Sequence, residues 1–161
     1  MSIMMYRVDG RMLHGQVIAT FAKALSLDSY VVVNEEIATS PKKIEVLKLA
    51  VPHEAKLAVY SSAQFALAMK NGELTGQHLC IVFRYLQDAI DSVNLGVSID
   101  KLMIGGMFQR IGKEAENLGI ALMVSSEDKN GFRELAAKNI ELTYQVSYFN
   151  KEIPLKEVVN Y

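Results

Sequence analysis

An open, mainly parallel α/β sheet with helices on both faces is the fold class the 161-residue sequence predicts. Three observations carry it. Short β-rich runs alternate with amphipathic helical stretches, the pattern of βαβ units. The run Tyr30-Val31-Val32-Val33 is continuously apolar and β-branched, as a strand covered on both faces must be. Helix caps and breakers, Ser40-Pro41, Asn71-Gly72 and Gly96, fall where the pattern changes period. Right-handed crossovers between parallel strands then place helices on both faces.

Taken in order, seven strands are expected. Residues 3–8 form the first, followed by a helix over 15–26 with Val17, Ile18, Phe21, Ala22 and Leu25 at helical spacing. Residues 29–34 form the second. The next helix starts at Pro41 and stops before Pro52, because the residue before a proline avoids helical angles. Strand 55–60 precedes a helix capped by Ser61 or Ser62 that runs to Lys70. Strand 78–83, helix 85–94 and strand 101–104 follow. The stretch 105–119 has no clear period and contains Gly105, Gly106, Gly112 and Gly119, so a loop with a short helix is expected there. A sixth strand over 121–124 leads to a helix over 127–138. Ser126 is read as its cap, with Lys129 in the third helical position, so no capping box is expected. Strand seven is 142–148, and Pro154 opens a short terminal helix. Without a repeat, low-complexity tract or linker, residues 1–161 read as a single domain.

Composition excludes several function classes. Lys+Arg 17 against Asp+Glu 18 leaves a formal charge of -1, so no basic surface argues for nucleic acid. Half the residues are hydrophobic, which supports a substantial core. The one cysteine, Cys80, lies in an apolar run and fits a buried structural thiol in a reducing compartment. No apolar run approaches the roughly 18 residues of a membrane span, and no signal peptide is evident. A cytoplasmic protein is expected. His14, His53 and His78 are scattered, so no metal site is expected. His53 is read as a solvated loop residue and His78 as a structural residue at the opposite rim from His14. P-loop, dinucleotide-fingerprint and nucleophile-elbow motifs are absent.

Chemistry concentrates in Arg7-Val8-Asp9-Gly10-Arg11-Met12-Leu13-His14-Gly15-Gln16-Val17, a strand-to-helix turn with two arginines, an aspartate and a histidine. In an open α/β sheet such a turn lies at the carboxyl edge, where ligands bind. Three other junctions should share that rim: Asn34-Glu35-Glu36, Phe83-Arg84-Tyr85 and Gly105-Gly106-Met107. A histidine at a helix start meets free backbone N–H groups and the positive end of the helix dipole, a setting that welcomes an anion. Neutral imidazole is a nucleophile. A phosphoryl group on His14 would be met by backbone N–H groups of Gly15, Gln16 and Val17, by the Arg11 guanidinium and by Arg7 as a second cation. Asp9 would either hydrogen-bond the second ring nitrogen or hold an arginine in place. The residues alone support this phosphate cradle no better than a structural Arg–Asp ion pair beside a capped histidine. A phosphatase or mutase with Asp9 as acid is a weaker third reading. Met12, Asn34, Phe83, Arg84, Gly106, Met107 and Phe108 are candidate rim or partner contacts, with core packing as the alternative.

The eleven-residue turn resembles the signature of the IIB component of the mannose/fructose/sorbose family of the bacterial phosphoenolpyruvate-dependent sugar phosphotransferase system. The segments from Val32 to Ala38, from Lys48 to Pro52 and from Ile104 to Met107 resemble further family motifs. The resemblance implies the following. His14 accepts a phosphoryl group, on Nδ1, from the phosphohistidine of a IIA component. It passes that group to a sugar imported by the membrane components IIC and IID, with which the protein associates peripherally. Arg11, and secondarily Arg7, stabilise phosphate, and Asp9 matches the first acid of the family's loop. No cofactor is implied, the IIA component is a separate protein or chain, and a homo-oligomer is compatible. Three departures stand out: Gly10 replaces a common aspartate, Glu35 replaces another, and Met103 replaces a frequent asparagine. The sugar is open among mannose, fructose, sorbose and amino sugars such as N-acetylgalactosamine. The alternative is a regulatory or ligand-binding module of the same fold without a transport role.

Overall fold

The structure is a computed structural model of the chain. It describes residues 1–15 and 18–161 in full; Gln16 and Val17 lie outside the described residues. Strands β1 (Ser2–Asp9), β2 (Ser29–Val33), β3 (Lys56–Tyr60), β4 (His78–Phe83), β5 (Lys101–Gly106), β8 (Glu141–Tyr144) and β9 (Ile153–Pro154) form a seven-stranded sheet in the order β3-β2-β4-β1-β5-β8-β9. Every pairing is parallel except β8 with β9. The α/β class and the mainly parallel sheet are as expected.

The membership of the sheet differs from expectation in one strand. The expected sixth strand, β7 (Leu122–Val124), instead pairs antiparallel with β6 (Glu116–Gly119) in a separate hairpin. The seventh place in the sheet goes to β9, where a terminal helix was expected; only a 3-10 turn, Leu155–Glu157, follows it. The physical reason lies in 105–119. That segment contains no helix, where a short one was expected, so nothing returns the chain parallel to the sheet. It reverses instead through a turn with Ala121 at φ 53 and folds back on itself. The hairpin is pinned to the end of β5 by hydrogen bonds from Met107 N–H to the Ala121 carbonyl (2.8 Å) and from Met123 N–H to the Met107 carbonyl (2.9 Å).

Helices α1 (Gly15–Leu25), α2 (Glu35–Ala38) and α3 (Pro41–Lys48) cover one face. Helices α4 (Ser62–Asn71), α5 (Leu86–Asn94) and α6 (Ser126–Ala137) cover the other. Two cores result. Ile18, Phe21 and Leu47 pack on Tyr30, Val32, Cys80 and Val82. Phe65, Leu86, Ile90, Phe132 and Leu135 pack on Val31, Ile81, Phe83 and Ile104. The central strands therefore read as continuous apolar runs because alternate side chains enter different cores. Cys80 is wholly buried, and burial pushes its thiol up to about 12, so it stays protonated and inert.

Two boundary details also differ. Asn34 caps the unexpected four-residue helix α2 by accepting from Ile37 N–H at 3.2 Å. Helix α6 is capped by Ser125, one residue before the expected Ser126. That shift puts Asp128 in the third helical position and completes a capping box: Asp128 N–H donates to Ser125 Oγ at 3.1 Å, and Ser125 N–H donates to Asp128 Oδ2 at 2.9 Å.

Parallel register brings the expected junctions to one edge. Val33 pairs with Phe83, Phe83 with Val8, and Asp9 with Gly106. The loops after β2, β4, β1 and β5 thus share the carboxyl rim, beside the central strand β1.

Candidate active site

Arg7 and Asp9 are two residues apart on β1, so period-2 geometry sends both side chains to the same face of the sheet. Both are buried, with side-chain exposures of 1% and 0%. An ionised carboxylate tolerates such burial only when its lone pairs are filled by charged donors. Here they are. Asp9 Oδ2 accepts from Arg7 Nε (3.1 Å), Arg7 Nη2 (2.9 Å) and Arg11 Nη2 (2.9 Å); Oδ1 accepts from Arg11 Nε and Arg11 N–H, both at 3.0 Å.

Arg7 has its remaining donors turned inward as well. Nη1 donates to the Gln145 carbonyl at 2.8 Å and lies 3.1 Å from Met103 Sδ, while Nη2 donates to the Val146 carbonyl at 2.7 Å. Its guanidinium carbon lies 5.1 Å from the centre of the Phe21 ring. Burial lowers the Arg7 pKa from its ordinary value, with Asp9 opposing it; arginine starts so high that the charge persists. Arg7 does not reach the surface in this arrangement. The expected second phosphate contact becomes a buried support: Arg7 holds Asp9, and Asp9 orients Arg11.

Arg11 is the outward member, with a side chain 32% exposed. The hydrogen bond with Asp9 raises its pKa, so its charge is secure. The loop that presents it is tight. Met12 N–H donates to the Asp9 carbonyl (2.9 Å) and His14 N–H to the Arg11 carbonyl (3.3 Å). Met12 takes the left-handed region at φ 58, rare for a residue with a side chain. Leu13 is wholly buried and anchors the loop in the α1-side core. Alternation of inward Leu13 with outward neighbours leaves His14 exposed. His14 is the N-cap residue of α1 in an extended conformation, and among the described residues its ring makes no capping hydrogen bond. Gly15 follows at φ +60, with open space where a Cβ would stand. Only glycine adopts that φ without strain. Of the two roles expected for Asp9, the structure shows the second: it grips the arginines. Gln16 and Val17, the other expected backbone donors, lie outside the described residues.

The glycines after β5 make room for this cluster. A Cβ on Gly105 would lie 1.9 Å from Arg7 Cζ, and one on Gly106 would lie 2.6 Å from Asp9 Oδ1. Arg7 is walled in and cannot swing aside. Gly105→Ala is therefore expected to cost about 3 kcal/mol or more and to lower the melting temperature by about 6–12 °C. Thermal unfolding measures this; a fall below about 2 °C would show that the guanidinium can be displaced cheaply.

The other rim candidates divide by burial. Asn34 (4% exposed), Phe83, Gly106 and Met107 are buried and pack within the rim. Asn34 Nδ2 donates to the Asp88 carboxylate at 3.1 Å, tying the β2 loop to α5. Burial raises the Asp88 pKa, and hydrogen bonds from Asn34 and from Tyr85 N–H oppose it. Met12 is half-buried, while Arg84 and Phe108 reach the surface. Arg84 donates to Glu36 at 2.7 Å, and Glu36 is also paired with Lys43.

A cavity of about 500 Å³ opens beside the loop, bordered by Gly10, Arg84, Tyr85, Phe108 and Arg110. The Arg110 and Arg84 guanidinium carbons lie 3.8 and 4.9 Å from the centre of the Tyr85 ring. Arg110 is not legible in the sequence, since 105–119 offers no periodicity to place it. Nor are the Gln145 and Val146 carbonyls under Arg7, because those residues read as part of a strand. Among the described residues no cluster of His, Cys, Asp and Glu could hold a metal ion. Among them, too, no helix is long and apolar enough to cross a membrane.

The family model for the PTS system sorbose subfamily IIB component, PTS being the phosphotransferase system, matches residues 3–161. The chain belongs to that family. The IIB component of sorbose-specific transport from Klebsiella pneumoniae is 26% identical over 160 residues, spanning 99% of this chain and 96% of that protein. The mannose-specific EIIAB component of Escherichia coli (strain K12) is also 26% identical, and this chain spans 49% of it. The crystal structure of the IIBSor domain of the sorbose permease from Klebsiella pneumoniae superposes with a TM-score of 0.87 at 26% identity, covering 98% of this chain and 95% of that one. IIB components act as phosphotransferases in sugar transport, and the present IIB chain has their mixed α/β fold.

Proposed function

We propose that this IIB component is a phosphocarrier in which His14 is the relay residue. The observation that supports it most directly is the geometry of one loop: an exposed imidazole at a helix start follows Arg11, whose guanidinium is oriented by a wholly buried aspartate. In the first step a neutral His14 nitrogen attacks the phosphorus of a phosphohistidine on the IIA component. The donor N–P bond breaks and a new N–P bond forms. In the second step a hydroxyl of the sugar attacks, the His14 N–P bond breaks, and the hydroxyl proton leaves to the imidazole or to water. Transfer of this kind depends on positioning and on electrostatic stabilisation of the equatorial oxygens. Arg11 supplies the cation; Arg7 and Asp9 hold it. Membrane components IIC and IID present the sugar, and the protein works in the cytoplasm at the face of that complex. The EIIAB name of the Escherichia coli relative supports IIA as the donor.

The test is radiolabelling with phosphoenolpyruvate, enzyme I, the histidine phosphocarrier protein and a IIA component. One phosphoryl group per chain is expected, labile in acid and stable in base. Absence of label, or an acid-stable label, would reject the phosphohistidine.

A further inference from the structure

Phe108 is a large apolar residue left 45% exposed beside Arg11. Single exposed apolar residues are ordinary; its seat is what sets this one apart. The ring lies over two glycines. A Cβ on Gly10 would fall 2.9 Å from Phe108 Cδ2, and one on Gly106 would fall 3.0 Å from Phe108 Cε2, closer than real Cβ contacts allow at the first position and tight at the second. The floor is fixed, since Gly10 N–H donates to the Gly106 carbonyl at 2.9 Å. The residue before the ring is fixed too, because the backbone of Met107 is hydrogen-bonded on both sides to the β6–β7 hairpin. The ring centre lies 5.7 Å from Arg11 Cζ. The Arg11 guanidinium thus has one edge on Asp9, an Nη2 hydrogen bond to the Gly105 carbonyl at 3.2 Å, and the Phe108 ring beside it.

We propose that Phe108 is a positioning residue for Arg11, seated by the absence of a side chain at Gly10. The ring restricts rotation of the guanidinium, covers part of it from water and engages its charge through the π-face. A partly dehydrated, immobilised cation stabilises phosphoryl oxygens better than a solvated one. Gly10 and Phe108 therefore act as one unit. A methyl group at position 10 acts only by moving the ring, since Gly10 is not among the glycines in the left-handed region, so alanine fits its backbone. The role assigned to Arg11 rests on the phosphocarrier reading above.

The experiment measures single-turnover phosphorylation of His14 by phosphoramidate, a small donor that needs no partner protein. Its P–N bond breaks, ammonia leaves with the imidazole proton, and the N–P bond forms on His14. Phe108→Ala is expected to slow the reaction by about 2–5-fold, the range for a surface cation–π contact. Phe108→Tyr should restore the rate and Phe108→Leu should not. Gly10→Ala should slow the wild-type background and add nothing to Phe108→Ala. In parallel, the Arg11 Nε–H resonance should shift and exchange faster with solvent in Phe108→Ala. Wild-type rates in Phe108→Ala or Phe108→Leu, or independent effects of Gly10→Ala and Phe108→Ala, would overturn the proposal. If wild-type protein takes no phosphoryl group from phosphoramidate or from the IIA component, the phosphocarrier reading fails. The Arg11 resonance then still decides the positioning: unchanged shift and exchange in Phe108→Ala overturn it.

Discussion

His14→Gln is expected to abolish phosphoryl acceptance while leaving the melting temperature within about 1–2 °C of wild type. Both halves follow from placement. The histidine side chain is exposed and, among the described residues, makes no capping hydrogen bond, so its replacement strands no buried partner there. Glutamine keeps similar size and polarity but offers no nucleophilic nitrogen. The loop has its own anchors in Leu13 and in the turn hydrogen bonds from Met12 and His14 main chain. Far-ultraviolet circular dichroism and a thermal melt check the fold; radiolabelling checks the chemistry. Label that survives His14→Gln would move the relay to another residue.

Asp9→Asn is expected to be the most destabilising single change at the site, by about 3–5 kcal/mol, or roughly 6–20 °C in melting temperature. The carboxylate is wholly buried and accepts from both guanidinium groups. An amide at that place turns an NH2 toward donors and leaves the Arg7 cation, only 1% exposed, without compensation. Phosphoryl transfer should fall as well, since Arg11 loses its orienting partner. The double variant Asp9→Asn with Arg7→Met separates the causes. If the uncompensated buried cation is the main cost, removing it should recover part of the lost stability. A double variant less stable than Asp9→Asn alone would assign the loss to packing instead.

Much of this site is legible in sequence. Arg7 and Asp9 share a face because strand period is 2, and His14 stands at a helix start because Gly15 and the apolar spacing that follows announce one. The rim of four junctions follows from parallel strands. What could not be read is which arginine faces water. Both sit near the same aspartate in sequence. Only the packing of Phe21, Met103 and the carbonyls of Gln145 and Val146 around Arg7 buries it. Those partners lie up to 139 residues away along the chain. Long-range contacts carry no local signature in a single sequence.

The departures in the fold have the same origin. The β7 segment has the composition of a sheet strand, yet its partner is decided by the chain geometry of 105–119, which turns back before it can cross over. Gly10 reads from sequence as a missing acid. In the tertiary structure it is the seat of Phe108, a residue 98 positions later that reads locally as an ordinary apolar side chain near a loop.

Local propensity, strand period and caps therefore determined the class, most of the elements and the loop that holds His14. Tertiary structure decided the division of labour within that loop: Arg7 buried as support, Asp9 as the clamp, Arg11 outward and Phe108 against it. The reason is physical. Period and propensity act over one or two turns of chain, whereas burial of a charge is set by every element that packs around it.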